Sequence, residues 1–289
     1  MKKTIGRIIE RPSRPGMVGD GFRVYHYIPG AYITQRRISP FLMLDFNAEY
    51  NFGPSDAVKG VGVHPHKGFE TVTIAYKGSI AHHDSAGNSG VIHPGDVQWM
   101  TAGAGILHKE YHEEEFSKKG GPFEMVQLWV NLPRKYKSAA PHYQAITAAQ
   151  MGKVQLPGNQ GLVNVIAGSF NEVAGPAVTY SPVNLLDIKL NKGGTLATRI
   201  PALHNVALLV INGSIEVNDK EAPEHSFVLF DNEGEEIGMK ATEDAVVLLL
   251  SGEPIDEPIA SYGPFVMNSQ EEIYEAMKEF QSGKYGVLH

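Results

Sequence analysis

The chain contains no cysteine, and this absence removes several classes of chemistry at once. Without thiols there are no disulfide bonds, no thiolate metal ligands and no cysteine nucleophile. Clusters of basic residues are also missing, and the formal net charge is -7 at pH 7. A protein that follows a phosphate backbone needs a basic surface, so we predict no direct binding to nucleic acid.

Long hydrophobic runs are absent as well. No stretch approaches the length of about 18 apolar residues that a membrane-spanning helix needs, so we expect no membrane partner. The N-terminal segment MKKTIGRIIERPSRPG is charged and lacks the apolar core of a signal peptide. Together these absences predict a cytoplasmic protein.

Short strand-like segments make up much of the remaining sequence. Runs such as FETVTIAY, VALLVING and AVVLLLSG are rich in β-branched and aromatic residues, and clusters of glycine, proline and asparagine separate them. This pattern is typical of an all-β sandwich or barrel. The clearest helical signal covers residues 269–281, where Ser269 and Glu272 have the spacing of a capping box.

A weak internal repeat relates the two halves of the chain. The segment Lys77–Ile80 reads KGSI and follows an apolar strand, and the segment Asn212–Ile215 reads NGSI in the same setting. Each segment predicts a strand, a tight turn at the glycine and a second strand. We therefore predict two similar β-barrels, over residues 1–140 and 141–289, with the helix at 269–281 in the second.

Two pairs of potential metal ligands stand out in the first half. His64 and His66 are two residues apart at the start of a predicted strand, and His108 and Glu110 have the same spacing in a second segment. Side chains two apart on a strand point to one face. Three imidazoles and one carboxylate suit a divalent first-row metal with open coordination positions. Either pair alone is more often an ordinary surface feature.

Glu70 competes with Glu110 for the fourth ligand position. Glu70 lies an even number of residues from His64 and His66, so on one unbroken strand it would point to the same face, although Gly68 interrupts the strand between them. We favour Glu110 as the ligand and expect Glu70 to accept a hydrogen bond from a ligand imidazole, which fixes the tautomer. Three further histidines are expected to be exposed to solvent: His82, His83 and His112.

The second repeat lacks this constellation. When the two repeats are aligned, Arg199 and Pro201 occupy the positions of His64 and His66, and no H-x-H pair is present there. His204 is unpaired, and a single histidine is more often structural. We predict that the second barrel binds no metal.

Four longer motifs carry a family resemblance. They are PFLMLDF (40–46), HPHKGFETVT (64–73), GDVQWMTAGAGILHKE (95–110) and GPFVMNSQEEI (263–273). From about residue 20 to its end, the chain resembles the pirin family of the cupin superfamily. The resemblance implies a bicupin with two jelly-roll-like barrels. Asp45-Phe46-Asn47 departs from the family pattern, in which an additional acidic residue is common.

The resemblance also implies which residues bind the metal. The pirin ligands correspond to His64, His66, His108 and Glu110, which makes Glu70 a non-ligand. A mixed imidazole and carboxylate site with open positions favours Fe(II), and copper, nickel, manganese or zinc suit the same ligands.

Two functions follow from the resemblance. Some pirins act as quercetin 2,3-dioxygenases, which cleave the heterocyclic ring of a flavonol and release carbon monoxide. In that reaction we expect Glu110 to take the proton of the flavonol hydroxyl, with Glu70 as an alternative base. Candidate apolar contacts to the substrate are Phe69, Trp99 and Met100, and packing in the core explains Phe69 and Trp99 at least as well. The alternative is a metal-containing regulator that binds a protein partner, such as a transcription factor or a metabolic enzyme.

Overall fold

A computed structural model describes residues 1–288. Its strands, numbered in chain order, are β1 (Ile5–Ile9), β2 (Gly16–Val18), β3 (Phe22–Ile28), β4 (Phe41–Phe52), β5 (Gly60–His66), β6 (Phe69–Lys77), β7 (Ile80–Asp84), β8 (Ser89–Ile92), β9 (Val97–Thr101), β10 (Ile106–His112), β11 (Gly121–Asn131), β12 (His142–Ile146), β13 (Gly152–Leu156), β14 (Gly161–Ala167), β15 (Ser169–Phe170), β16 (Val173–Ala174), β17 (Val183–Leu190), β18 (Thr195–Arg199), β19 (Asn205–Asn212), β20 (Ile215–Val217), β21 (Lys220–Ala222), β22 (Phe227–Phe230), β23 (Glu236–Ala241), β24 (Ala245–Gly252), β25 (Ala260–Tyr262) and β26 (Phe265–Met267). The helices are α1 (Glu114–Lys119) and α2 (Gln270–Gln281), and short 3-10 turns cover Arg134–Tyr136 and Pro157–Asn159. None of the helices in residues 1–288 has the length and apolar character needed to cross a membrane.

The chain forms two compact units. The larger unit contains Ser13–Arg36, Pro40–Ala148 and the segment that begins at Ile255. The smaller unit contains Met1–Pro12, Arg37–Ser39 and Ala149–Pro254. The predicted all-β class is confirmed, since strands form most of the regular structure in both units.

The larger unit is built from two antiparallel sheets. One sheet has seven strands in the order β12-β9-β6-β11-β4-β3-β2, and the other has four in the order β5-β10-β7-β8. Apolar side chains from both sheets form one buried cluster, which includes Phe22 and Phe123 from the first sheet and Ile80 and Ile92 from the second. Burial of this shared apolar face holds the sheets together.

The smaller unit repeats this arrangement. Its seven-stranded sheet has the order β1-β22-β19-β24-β17-β14-β13, and its four-stranded sheet the order β18-β23-β20-β21. The connection from β6 to β7 corresponds to that from β19 to β20, and each turns at a glycine of positive φ, Gly78 and Gly213. An added Cβ would lie 2.2 Å from the Asp244 carbonyl oxygen at Gly213, so the turn requires glycine. The predicted repeat is confirmed.

The ends of the chain depart from the predicted linear division at residue 140. Strand β1 pairs with β22, which places the N-terminal residues in the smaller unit. The C-terminal helix lies in the larger unit, because Ile273 and Ala276 pack in a cluster with Phe265 of β26. The helix itself is as predicted, with Ser269 as the N-cap of a complete capping box. Pairing between distant strands decides both assignments, and no local pattern encodes it.

Candidate metal centre

Strands β5 and β10 bring three histidines together in the larger unit. The two strands are antiparallel, with His108 directly opposite His64 and Ile106 opposite His66. Alternation along β10 buries His108 and Glu110 on one face, as the spacing predicts. The ring centroids are 4.3 Å apart for His64 and His108, 4.6 Å for His66 and His108, and 4.8 Å for His64 and His66.

The three imidazoles are suited to hold a metal ion. One nitrogen of each ring lies within 4.8 Å of the others. His64 Nδ1 donates to the Gly62 carbonyl oxygen at 2.8 Å, which leaves the Nε2 lone pair free. Both ring nitrogens of the buried His108, and Nδ1 of His66, have no hydrogen-bond partner within residues 1–288. Buried imidazole nitrogens without a protein partner can serve as metal ligands.

Burial also keeps the three rings neutral. It lowers the pKa of His64 and brings the pKa values of His66 and His108 well below the usual 6.5, with smaller contributions from neighbouring imidazoles. A metal ligand must carry a free lone pair, so the unprotonated state is the binding state. The histidines are thus ready to coordinate a metal at neutral pH.

Glu110 is the carboxylate on the same strand face as His108. A bulge in the pairing of β5 with β10 lies between these two residues, where Glu110 stands opposite Val61. One carboxylate oxygen accepts a hydrogen bond from the Thr73 hydroxyl at 3.1 Å. Burial raises the Glu110 pKa to about 7, and the bond from Thr73 opposes that rise. Glu110 can therefore gain or lose a proton close to neutral pH.

A cavity of about 390 Å³ opens beside these residues, and this volume is typical of a small-molecule site. His64, His66 and Glu110 lie in its wall, and Gln127 and Asp45 contribute further polar groups. The rest of the wall is apolar and consists of Val18, Phe22, Val24, Met43, Val61, Met125, Trp129 and Pro264. A flat, largely apolar ligand with a few hydroxyl groups matches this lining.

The aromatic contacts predicted from the sequence are not the ones that line the cavity. Trp99 and Met100 are fully buried outside the lining, and Phe69 packs behind it with its ring 4.2 Å from Trp129. The alternative interpretation of Phe69 and Trp99 as core residues is correct, and Met100 is a core residue as well. Trp129 and Gln127 were not predicted from the sequence to line the cavity. Both lie on β11, and the glutamine inside this apolar strand was the available signal.

Glu70 lies away from the three histidines. Strand β5 ends at His66 and β6 begins at Phe69, with Gly68 between them at φ +88°. Thr73 of β6 faces Glu110, so alternation turns Glu70 to the opposite face, where it accepts a hydrogen bond from Thr101 at 2.8 Å. No bond from Glu70 to an imidazole is present within residues 1–288, and its role beside the metal stays a prediction.

Two histidines expected in solvent are buried, and for them the expectation was wrong. His82 is fully buried, and burial lowers its pKa to about 4. His112 is also buried; its Nε2 contacts the Gly21 carbonyl oxygen at 2.8 Å, and its ring packs edge-on against Phe52. Both residues lie on inward-facing strand positions whose burial depends on the opposite sheet.

Models of known protein families match both halves of the chain. Residues 21–130 match the family model described as Pirin, and residues 185–286 match the model of the Pirin C-terminal cupin domain. These matches confirm the predicted pair of cupin domains.

Similar proteins extend over the whole chain. A Pseudomonas aeruginosa protein named "Putative quercetin 2,3-dioxygenase" is 46% identical over 100% of both chains, and mouse Pirin is 36% identical over 95% of this chain and 91% of its own. The crystal structure of a quercetin 2,3-dioxygenase from Acinetobacter baumannii has a TM-score of 0.94 at 44% identity, with 100% of both chains covered. The expected similarity to oxidoreductases of this kind is confirmed.

Proposed function

Because the chain belongs to the pirin family of cupin proteins, we propose that it is a metal-dependent dioxygenase that acts on a flavonol such as quercetin. The observation that carries this proposal is the position of three neutral imidazoles and one carboxylate, His64, His66, His108 and Glu110, beside one apolar cavity. The names of the similar proteins from Pseudomonas and Acinetobacter support the same substrate.

His64, His66, His108 and Glu110 are the residues that hold the metal in this proposal. A divalent first-row metal, Fe(II) as first choice, supplies Lewis acidity and redox chemistry when bound. The donor set of nitrogen and oxygen atoms, without sulfur, fits such an ion, and copper, nickel, manganese and zinc fit the same donors.

Glu110 accepts the proton of the flavonol 3-hydroxyl in this proposal. The 3-hydroxyl of a flavonol must lose its proton before the ring opens, and a base works best when its pKa lies near the working pH. In the metal-free site burial raises the Glu110 pKa to about 7, and the Thr73 hydroxyl fixes the position of the carboxylate that receives the proton. Glu70 lacks this placement, since its carboxylate lies on the other face of β6.

The apolar wall orients the substrate and excludes water. The Trp129 indole and the side chains of Phe22, Met43 and Met125 offer flat or adaptable surfaces for the aromatic rings of a flavonol. With the rings held against these side chains, the 3-hydroxyl and its neighbouring carbonyl point to the imidazole end of the cavity. Water excluded from this wall cannot compete for the reacting carbon atoms.

The test is turnover of quercetin by metal-loaded protein in the presence of oxygen. Loss of quercetin absorbance, oxygen uptake and carbon monoxide release should proceed in equal amounts. His66→Ala should abolish all three signals, whereas the exposed His142→Ala should preserve them. The metal-free protein, prepared with a chelator, should be inactive and should recover when metal is returned.

The proposal fails if protein loaded in turn with iron, copper, nickel, manganese and zinc consumes neither quercetin nor oxygen. In that case the regulatory role becomes the function to test, by comparing the protein partners of metal-loaded wild-type protein and His66→Ala.

A further inference from the structure

A row of polar side chains crosses the inner face of the seven-stranded sheet in the larger unit. Five neighbouring strands contribute one residue each, in the order Gln98, Thr73, Gln127, Asp45 and His26. Residues directly opposite on antiparallel strands share a face of the sheet. Since Thr73 bonds to Glu110, the whole row lies on the face that looks toward the metal-binding strands.

The row connects the Glu110 carboxylate to the wall of the cavity. The Thr73 hydroxyl lies 3.1 Å from a Glu110 oxygen and 2.9 Å from the Gln127 amide oxygen. Gln127 in turn stands directly opposite Asp45, and both of these residues line the cavity. The polar wall of the cavity therefore begins at Glu110 and ends at Asp45.

Asp45 has a carboxylate oxygen available to a ligand. Its Oδ1 accepts a hydrogen bond from His26 Nδ1 at 2.6 Å; burial raises the Asp45 pKa, and this bond opposes that rise. The Asp45 side chain is 7% exposed, whereas His26 is 54% exposed. The second oxygen, Oδ2, has no hydrogen-bond partner in the described part of the chain. A nearly buried carboxylate with one vacant acceptor in a cavity wall is a site for a hydroxyl donor.

The distance across the sheet sets the kind of ligand. Thr73 and Asp45 are separated by β11, which amounts to two strand spacings, or about 10 Å. Apolar side chains of the cavity wall lie on either side of this polar line, including Val24, Met43 and Trp129. A ligand that reaches both ends is an extended aromatic molecule with hydroxyl groups at each end.

We propose that Asp45, held by His26, accepts a hydrogen bond from a phenolic hydroxyl at the end of the substrate remote from Glu110. Asp45 is then a specificity-determining residue that selects polyhydroxylated over unsubstituted flavonols. This inference rests on the proposed function, because it takes the 3-hydroxyl end of a flavonol to lie at the histidines.

The experiment compares two ligands that share the chelating end. Quercetin and 3-hydroxyflavone have the same 3-hydroxyl and neighbouring carbonyl, and 3-hydroxyflavone lacks the other hydroxyl groups. Binding to metal-loaded protein is titrated without oxygen, so that turnover does not interfere, and is followed through the fluorescence of Trp129. A Trp99→Phe background removes the other tryptophan signal.

Wild-type protein should bind quercetin about 10-fold more tightly than 3-hydroxyflavone, as expected for a hydrogen bond to a charged group. Asp45→Asn should lose this preference and leave the affinity for 3-hydroxyflavone unchanged. His26→Gln should lose part of this preference, because the Asp45 carboxylate loses the hydrogen bond from His26 that holds it in position. Asp56→Asn, a change at an exposed carboxylate, should behave as wild type.

The outcomes separate this inference from the proposed function. If wild-type protein binds both flavonols without discrimination, or if Asp45→Asn keeps the preference, Asp45 is not the selecting residue and the flavonol site still stands. If neither flavonol binds, the proposed function fails and the inference fails with it. Should Asp45→Asn not fold, the comparison of wild type with His26→Gln decides, since His26 is half exposed and its replacement leaves the core intact.

Discussion

His64 and His108 lie directly opposite each other on antiparallel strands, with ring centroids 4.3 Å apart. No hydrogen bond joins the two rings within residues 1–288, and neither nitrogen of His108 has a partner. Two neutral imidazoles this close, with their ring planes tilted by 57° and no shared proton, bring unpaired nitrogen lone pairs together. This arrangement is unfavourable without a cation and favourable with one.

Replacement of His108 should separate metal binding from folding. His108→Ala should bind no stoichiometric metal, because the three-nitrogen site loses its central member. The fold should persist, since neither His108 nitrogen bonds to another of residues 1–288 and the apolar clusters of both units are untouched. Metal analysis by mass spectrometry and circular dichroism measure the two effects, with His142→Ala as the control. A full equivalent of metal on His108→Ala would show that the ligands are assigned wrongly.

Metal affinity should depend on pH through Glu110. The metal-free carboxyl has a pKa of about 7, and the three histidines are already neutral there because their pKa values are lowered. Below pH 7 the metal must displace one proton, so affinity for nickel should rise about tenfold per pH unit and then level off. Competition with a coloured chelator between pH 5.5 and 8 measures this slope.

Glu110→Gln provides the control for that measurement. The variant has no proton to displace, so it should bind metal more weakly and with little pH dependence over the same range. An unchanged slope in Glu110→Gln would assign the proton to another group.

Thr73→Val should disturb Glu110 and leave the three histidines unchanged. The change removes the hydroxyl that bonds to Glu110 and Gln127, and the loss of that bond raises the Glu110 pKa further. Activity should therefore fall more at pH 6 than at pH 8. Thr71→Val is a matched control, because the Thr71 hydroxyl is on the same strand and has no partner in the described structure. Equal pH profiles for the two variants would rule out the role of Thr73.

Glu70 should make stability depend on pH. Burial raises its pKa from 4.5 to about 7, so the folded chain holds this proton more tightly than the unfolded chain. Between these values the folded state binds more protons, and the contribution of Glu70 to stability is lost as pH rises from 4.5 through 7. The loss amounts to at most about 3 kcal/mol.

Glu70→Gln removes this titration and keeps an acceptor for Thr101. Relative to wild type, the variant should gain stability as pH rises from 4.5 to 8, measured by urea unfolding of metal-free protein. Glu221→Gln, at an exposed carboxyl, should show no such gain. A Glu70→Gln variant that follows the wild-type curve at every pH would show that Glu70 titrates normally.

Much of the candidate site was predictable because the relevant patterns are local. Alternation along one strand is a property of the backbone, so the spacing of His108 and Glu110 alone predicts a shared face. The capping box at Ser269 is equally local, and helix α2 begins where it was predicted. In contrast, spacing alone could not place Glu70 relative to the histidines, since Gly68 turns the chain between β5 and β6.

The sequence by itself determined the strand-rich repeat, the helix at the C-terminal end and the two pairs of candidate ligands, because each depends on residues a few positions apart. Only the tertiary structure decided that His82 and His112 are buried, and that Asp45 and Gln127 share a wall with Glu110. Those facts depend on which strands pair, and in which register, between segments far apart in the chain. A shift of one residue in any of these pairings would turn the whole set of side chains to the other face.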